Sequence, residues 1–317
     1  MPAALIPSQV HVDAALTQFS IAFMNDGVGF VADKVFPVVN VQKQSDVYYT
    51  FARDTFLRSA AARRAPGTKA AEKLIALSTG RYFCETWAIE GKIPDETRAN
   101  ADPAINLDMT MVNGLTEDMM IRREAEFVTA FMTTGVWATD TTPANLWSDG
   151  ANSDPISDIA AQKVTIKLAT GKNPNKLVVG RQVHEQLKKH PLIVERLKGI
   201  TVQMTNLVIA QVLDVEEYLV ADAVQTTSAP GLTITNAFLV GKNALLVHTP
   251  TAPSLMTPAA GYIVAWNAYN GQGGLGGVAV DVRRDNETVS DVIRCQFSFD
   301  MLLTSSALGA FFSNVVA

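Results

Sequence analysis

The sequence predicts an α+β protein, and three features support this fold class. Two strand-like runs, VYYTFA (residues 47–52) and KLIALSTGRYFCETWAI (residues 73–89), are rich in β-branched and aromatic residues. A long apolar stripe with helical spacing follows, and the second half of the chain alternates short helical and strand-like segments. The 317 residues, of which 48% are hydrophobic, suffice for one large domain or for two to three small ones.

Composition and charge argue against several classes of protein. Only 18% of the residues are charged and the net charge is -5, so no overall basic field exists to bind the phosphates of nucleic acid. The N-terminus lacks the pattern of a secretory signal, and no apolar run approaches the ~20 residues of a membrane span. Cys84 and Cys295, the two cysteines, lie far apart in strand-like runs, which predicts two reduced, partly buried thiols.

The first forty residues are predicted to be irregular, and the two strand-like runs are predicted to form a hairpin. Pro2, Pro7 and Pro37 punctuate short apolar pieces that are too small to fold alone, so this segment should lie against another surface. The two strand-like runs predict a long hairpin, and Pro66 and Gly67 break its tip.

The hairpin tip concentrates basic residues. From Phe51 to Lys73 the chain carries a net charge of +4, so the remainder carries -9. The candidate contact residues are Arg58, Arg63, Arg64, Lys69 and Lys73. Two interpretations stay open: a solvated loop, or an arm that docks on an acidic surface of a neighbouring subunit, since complementary charge steers association.

A long helix is predicted after the hairpin. Asp102 can cap it, Pro103 is tolerated at its first position, and it should end near Gly135. Its apolar stripe consists of Leu107, Met111, Leu115 and Met119, then Ile121, Ala125, Val128 and Met132. Asp118 and Arg122 are spaced to form a supporting ion pair on the opposite face.

The rest of the chain predicts a mixed α/β region followed by two long strands. Short helices are expected at residues 156–168, 181–189, 191–198 and 206–213. Strands are expected at KLVVG (176–180), YLVAD (218–222), AFLVG (237–241), ALLVHT (244–249) and YIVAW (262–266), and the long strands at residues 278–285 and 288–304.

The stretch YNGQGGLGG (residues 269–277) has the spacing of a dinucleotide-binding loop. Gly271, Gly273 and Gly276 satisfy G-x-G-x-x-G, but that loop requires a following helix that receives the pyrophosphate. Residues 278–282 alternate as a strand does, so the glycines predict a turn between two strands.

No other pattern predicts catalysis, a cofactor or a metal. The tip sequence PGTK lacks the P-loop order, and no G-x-S-x-G or C-x-x-C occurs. None of the four histidines forms an H-x-x-x-H pair, and His190, just before Pro191, is interpreted as a structural or surface residue whose cation would favour the end of the preceding helix. The sequence therefore predicts a protein that is not an enzyme.

Four long runs resemble the major capsid proteins of tailed bacteriophages with the HK97-type fold. They are VADKVFPVVNVQKQSDVYYTF, LSTGRYFCETWAIEGKIPDETRANAD, LATGKNPNKLVVGRQVHEQLKKHPLIVERLKG and LLVHTPTAPSLMTPAAGYIVAW. The similarity lies in their number and order and covers nearly the whole chain.

The resemblance implies a division of the chain into segments. Residues 1–44 would form an N-terminal arm, residues 45–89 an extended E-loop, and residues 90–148 a peripheral domain with its spine helix. Residues 149–272 would form a mixed α/β axial domain, and residues 273–317 the strands that return to the peripheral domain.

The resemblance also implies a function and partners. The chain would assemble with itself into hexamers and pentamers of an icosahedral head around double-stranded DNA, in the virion, after assembly in the host cytoplasm. Scaffolding, portal and decoration proteins would be separate chains. Some relatives link an E-loop lysine to a neighbour's asparagine; Lys69 and Lys73 lie on the corresponding segment, but no pattern identifies their partner.

Three alternatives remain open from the sequence. An encapsulin-like cellular shell would share the fold and the assembly logic. A soluble α/β enzyme would use the glycine loop to bind a nucleotide. A tail-tube or decoration protein would form rings or trimers without a closed shell.

Overall fold

A computed structural model of the chain describes residues 25, 27–51, 56–101, 106–198, 205–229, 231–253, 257–267 and 278–317. Its helices are α1 (Ala32–Val35), α2 (Asp95–Ala99), α3 (Leu107–Phe131), α4 (Pro155–Thr170), α5 (Arg181–Lys189), α6 (Pro191–Arg196) and α7 (Asn206–Val212), with 3-10 turns at Gly27–Gly29 and Ser306–Leu308.

The strands are short except near the end of the chain. They are β1 (Val38–Val41), β2 (Ser45–Phe51), β3 (Leu77–Phe83), β4 (Glu85–Pro94), β5 (Thr139–Thr141), β6 (Lys176–Gly180), β7 (Glu217–Ala221), β8 (Val224–Thr226), β9 (Asn236–Phe238), β10 (Ala244–Val247), β11 (Gly261–Trp266), β12 (Ala279–Asp285), β13 (Ser290–Leu303) and β14 (Gly309–Phe312). The predicted helices and strands are confirmed in type and order. The second hairpin run is divided at Cys84 into β3 and β4.

The first sheet is organised around the 14-residue strand β13. One edge of β13 pairs with β4, and the other pairs with β12 and then with β11, which also binds β1 in parallel. Helix α3 packs on this sheet through buried residues that include Leu115, Met119, Phe127 and Phe131. Phe36, just after α1, completes an aromatic cluster with its ring centroid 4.4 Å from that of Phe131.

Helix α3 begins four residues later than the sequence predicts. Its N-cap is Asn106, whose side chain accepts a hydrogen bond from the Met109 amide at 3.1 Å, whereas the predicted cap Asp102 lies outside the described residues. Asn106 replaces an acidic cap because its side-chain oxygen can satisfy a free amide of the first turn equally well. The helix ends at Phe131, four residues before the left-handed Gly135.

The predicted pair of Asp118 with Arg122 is wrong. Arg122 instead pairs with Glu126 one turn further on, and its guanidinium lies 4.0 Å from the centroid of the Trp87 ring. The aromatic face of β4 therefore determines where this side chain points. Burial raises the pKa of the Asp118 carboxyl, and the neighbouring Glu117 adds to this effect.

The second sheet has the strand order β5-β14-β10-β6-β7 and is buried on both faces. In β10, Leu245 belongs to the core under α3, while Leu246 belongs to a second core under α4 and α5. A continuous apolar strand such as ALLV is typical of a sheet that is covered on both sides. This sheet is therefore complete within one subunit.

Burial also settles the chemistry of the cysteines and of His190. Cys84 and Cys295 are free and buried, as predicted. His190 is a buried structural residue, in line with its interpretation as structural or surface. The expected cation is wrong, because burial lowers its pKa, its Nδ1 accepts from the Leu192 amide at 3.3 Å, and its Nε2 lies 3.0 Å from Ser153 Oγ. His190 is thus a neutral cap on the helix that follows it.

None of the described helices has the length and apolarity that crossing a membrane requires.

Candidate assembly surface

The hairpin β2–β3 forms a two-stranded sheet separate from the two large sheets. The strands pair antiparallel from Ser45 opposite Phe83 to Phe51 opposite Leu77. An isolated two-stranded hairpin is marginally stable in water. Its conformation therefore depends on what holds its ends and on what covers its faces.

The base of the hairpin is fixed to the first sheet. The Cys84 amide donates to the Gln44 carbonyl at 2.9 Å, and the Gln44 side chain donates back to the Cys84 carbonyl at 3.1 Å. The Phe83 amide donates to Asp300 Oδ2 on β13 at 3.0 Å. Burial raises the pKa of Asp300, although this hydrogen bond opposes the rise. The hairpin thus has a rigid attachment at one end.

The rest of the hairpin exposes large apolar side chains. Along its strands and the flanking segments these are Val47, Tyr49, Phe56, Leu57, Leu74, Ile75, Leu77 and Phe83. Leu74 is 90% exposed, which is far more than a leucine in a finished core. Scattered apolar residues are normal on a surface, but this many on one projection mark an interaction surface.

The five predicted contact residues are all exposed. Lys69 pairs with Glu72, and the Lys73 ammonium donates to the Arg58 carbonyl at 3.0 Å. Arg63 and Arg64 are exposed, and within the described part of the chain neither forms an ion pair. Within the described part of this subunit, no carboxylate pairs with Arg63 or Arg64, which agrees with either a solvated loop or an arm that docks on a neighbour.

An ion-pair face on the first sheet was not predicted from the sequence. Arg284 on β12 pairs with Asp95 and Asp291, and Arg98 pairs with Asp291 and Asp108. Hydrogen bonds from Arg98 and Arg284 lower the pKa of Asp291, so its carboxylate stays ionised. This network joins β12, β13, α2 and α3 beside the hairpin's supporting strand β4. The charged run VRRD was visible in the sequence, but its partners come from distant segments.

A buried carboxylate joins the segment before β1 to α3. Glu124 accepts hydrogen bonds from the Val31 and Ala32 amides at 3.1–3.2 Å. Burial raises the pKa of Glu124 to about 7, although these amides and Arg123 oppose the rise. Its neighbour Arg123 pairs with Asp33 of α1. In the sequence, the sign of this buried carboxylate is that Glu124 lies next to Ala125, a member of the apolar stripe of α3.

The described residues contain no group of three or more metal-ligating side chains. The glycine turn predicted at residues 269–277 lies outside the described residues. The structure instead presents the hairpin β2–β3, which carries exposed apolar side chains and a basic tip and is attached at its base to the first sheet.

Three known proteins are similar to this chain in sequence or in structure. The chain is 24% identical over 248 residues, 75% of its length and 76% of the relative's, to the major capsid protein of Burkholderia phage BcepMu. A phage-related protein of Bordetella bronchiseptica RB50 aligns with a TM-score of 0.69 and 21% identity over 92% of this chain and 94% of that one. The capsid structure of cyanophage P-SCSP1u aligns with a TM-score of 0.59 and 9% identity over 95% and 94%. No family model matches the chain.

The chain therefore has the HK97-type fold of phage capsid proteins, as predicted. Within that class, the similarity to the major capsid protein of Burkholderia phage BcepMu supports the predicted identification as a phage major capsid protein.

Proposed function

We propose that the chain is the structural subunit of an icosahedral phage head, in which hexamers and pentamers of one protein enclose double-stranded DNA. The observation that carries this proposal is the hairpin β2–β3, because its apolar side chains are exposed while the rest of the fold has two filled cores. Burying such a surface against copies of the same chain supplies the area that a stable, symmetric interface needs.

The segment assignments follow the same proposal. The arm (residues 1–44), the E-loop (45–89), the peripheral domain (90–148), the axial domain (149–272) and the return strands (273–317) are working divisions. Strand pairing crosses these divisions, since β11 joins the first sheet while β5 and β14 join the second. The two large regions are thus expected to behave as one body during assembly.

The basic tip would contact an acidic surface of a neighbouring subunit. Arg63 and Arg64 would contribute most, because Lys69 already pairs with Glu72 within the tip. Each subunit has a net charge of -5, so a neighbouring copy carries an excess of carboxylates that the basic tip would contact.

The role is that of a structural protein without catalytic turnover, located in the virion and assembled in the host cytoplasm. Scaffolding, portal and decoration proteins would be separate partners. DNA would be enclosed without tight binding, because a subunit with net negative charge gains little from counterion release. In a mobility assay at physiological salt the isolated subunit should leave duplex DNA unshifted; a tight, salt-insensitive complex would contradict this.

Negative-stain electron microscopy of the purified full chain, with sizing by light scattering, tests the proposal. Closed polyhedral shells or rings with six-fold symmetry are expected. Rings or trimers that never close, even after a scaffolding protein from the same source is added, would favour a tail or decoration role. A particle that stays monomeric under both conditions would overturn the proposal.

A further inference from the structure

Strand β12 forms an edge of the first sheet. On one side it pairs antiparallel with β13 from Ala279 to Asp285, and among the described residues no strand pairs with its other side. The strand extends over about 24 Å. The unpaired amides and carbonyls of such an edge can bind another strand, and natural proteins protect an edge that has to stay single. The side chains of β12 decide between these two possibilities.

The face of β12 on the α3 side carries two valines that the subunit leaves exposed. Val280 pairs with Cys295 of β13. Val282 pairs with Ile293, and both partners belong to the core under α3. Directly paired residues share a face of the sheet, yet Val280 is 46% exposed and Val282 is 61% exposed. The core under α3 therefore ends at this edge in an apolar strip that a further strand could extend and cover.

The opposite face of β12 carries charges of both signs. Asp281 pairs with Arg294 of β13 at 2.8 Å, and Arg294 lies opposite Glu90 of β4. One row across the sheet thus alternates negative, positive and negative, and it ends at the edge with Asp281. Arg283 pairs with Glu90 at 3.0 Å, and the side chains of Asp281 and Arg283 are both half exposed. Each can therefore accept a further partner of opposite charge.

The charges of β12 are complementary to a second copy of the same strand. In an antiparallel pair centred on Val282, Asp281 of each copy lies opposite Arg283 of the other, which gives two pairs of opposite charge. A pair centred on Asp281 would place that carboxylate opposite itself. A pair centred on Arg283 would place Arg283 opposite itself and Asp281 opposite Asp285. Like charges directly opposite each other are destabilising, so the sequence favours the register centred on Val282.

We propose that β12 pairs antiparallel with β12 of a second copy of the chain, about a two-fold axis at Val282. The axis stands perpendicular to the sheet, so the two α3 helices lie on the same side and the exposed valines of both copies come together. Such a contact is isologous, because each subunit contributes the same patch. A closed shell also needs contacts between neighbouring rings of subunits. The assignment of this contact to neighbouring rings rests on the proposed function, whereas the pairing itself does not.

A single cysteine tests the register in the full-length chain. In the proposed pair the two copies of Val282 lie directly opposite each other, with Cα atoms about 4.5–5.5 Å apart, which suits a disulfide. Val282→Cys should therefore form disulfide-linked dimers under mild oxidation. Val289→Cys is the matched control, since Val289 is an exposed valine in the turn between β12 and β13, away from the axis. The native Cys84 and Cys295 are buried and should not react.

Non-reducing electrophoresis under denaturing conditions separates the outcomes. A dimer from Val282→Cys alone supports the proposal, and equal cross-linking of both variants, or none, overturns it. Closed particles without the Val282→Cys dimer would overturn this contact and leave the proposed function intact. A Val282→Cys dimer in a protein that forms neither rings nor shells would support the contact and count against the proposed function.

Complementary charge reversals provide a second test. Asp281→Arg and Arg283→Asp, each made in the Val282→Cys chain, place like charges opposite each other and should lower the yield of dimer about fivefold. An equimolar mixture of the two variants should restore the yield, because each arginine of one chain then faces an aspartate of the other. Lost subunit stability would not be rescued by mixing. A mixture that cross-links no better than either variant alone would overturn the proposal.

Discussion

The second sheet and the hairpin β2–β3 are both built from β-branched and aromatic residues, but they differ in what covers them. In the second sheet Leu245 faces one core and Leu246 the other, so both faces are filled by the same chain. In the hairpin, Leu74 and Leu77 are exposed, and the base alone is fixed to the first sheet. One region is complete in the subunit, whereas the other requires a second surface.

Replacing a leucine by alanine in each region should give the largest difference between them, in subunit stability and in assembly. Leu246→Ala leaves a cavity in a filled core and should lower the free energy of unfolding by about 2–5 kcal/mol. Leu74→Ala, at a 90% exposed position, should change subunit stability by less than about 0.5 kcal/mol yet weaken assembly. Urea denaturation and light scattering measure the two effects. The comparison fails if Leu74→Ala destabilises the subunit as much as Leu246→Ala does.

The core under α3 should carry a pH dependence through the buried Glu124. The pKa of Glu124 is raised to about 7 in the folded protein from an ordinary value of 4.5, so the folded state binds more protons between these values. Stability should therefore fall as pH rises through this range, by up to about 1.4 kcal/mol per pH unit.

Glu124→Gln tests this assignment because it removes the titrating group and retains an acceptor for the Val31 and Ala32 amides. Urea denaturation midpoints between pH 5 and 8 should lose most of their slope in this variant. Glu126→Gln, at a less buried position on the same helix, controls for charge. An unchanged slope in Glu124→Gln would show that another group is responsible.

Charge reversal at the tip should give the smallest effect and should act on assembly alone. Arg63→Glu with Arg64→Glu should weaken association by about 0.2–1 kcal/mol per contact, and the difference should shrink as salt is added. Lys172→Glu with Lys198→Glu makes the same change in net charge at other exposed positions. If the two double variants assemble equally well over a salt series, the charge-docking proposal is wrong.

The sequence predicted the elements better than it predicted their partners. The stripe of α3 and the apolar runs of β6 and β10 follow from local periodicity, and all three elements are observed. Arg122 was misassigned because Trp87, 35 positions earlier in the sequence, attracts its guanidinium. His190 was correctly interpreted as structural or surface, but its expected positive charge was wrong because the ring is buried and bonded to Ser153 of a distant loop.

The candidate surface was predicted in outline only. The hairpin and its basic tip follow from β-branched runs and charge, but the exposure of its apolar residues depends on how the chain folds around them. Local patterns show the charges of Glu124 and of the Arg98–Asp291–Arg284 network, but their partners come from distant segments and could not be predicted.

Hydrogen–deuterium exchange of assembled particles against dissociated subunits tests the central claim most directly. We expect the amides of residues 45–51 and 77–83 to become strongly protected on assembly, because a neighbouring subunit covers the hairpin. The strands β6 and β10 should be protected in both states. Equal exchange of the hairpin in particles and free subunits would contradict the claim that it is the surface completed by assembly.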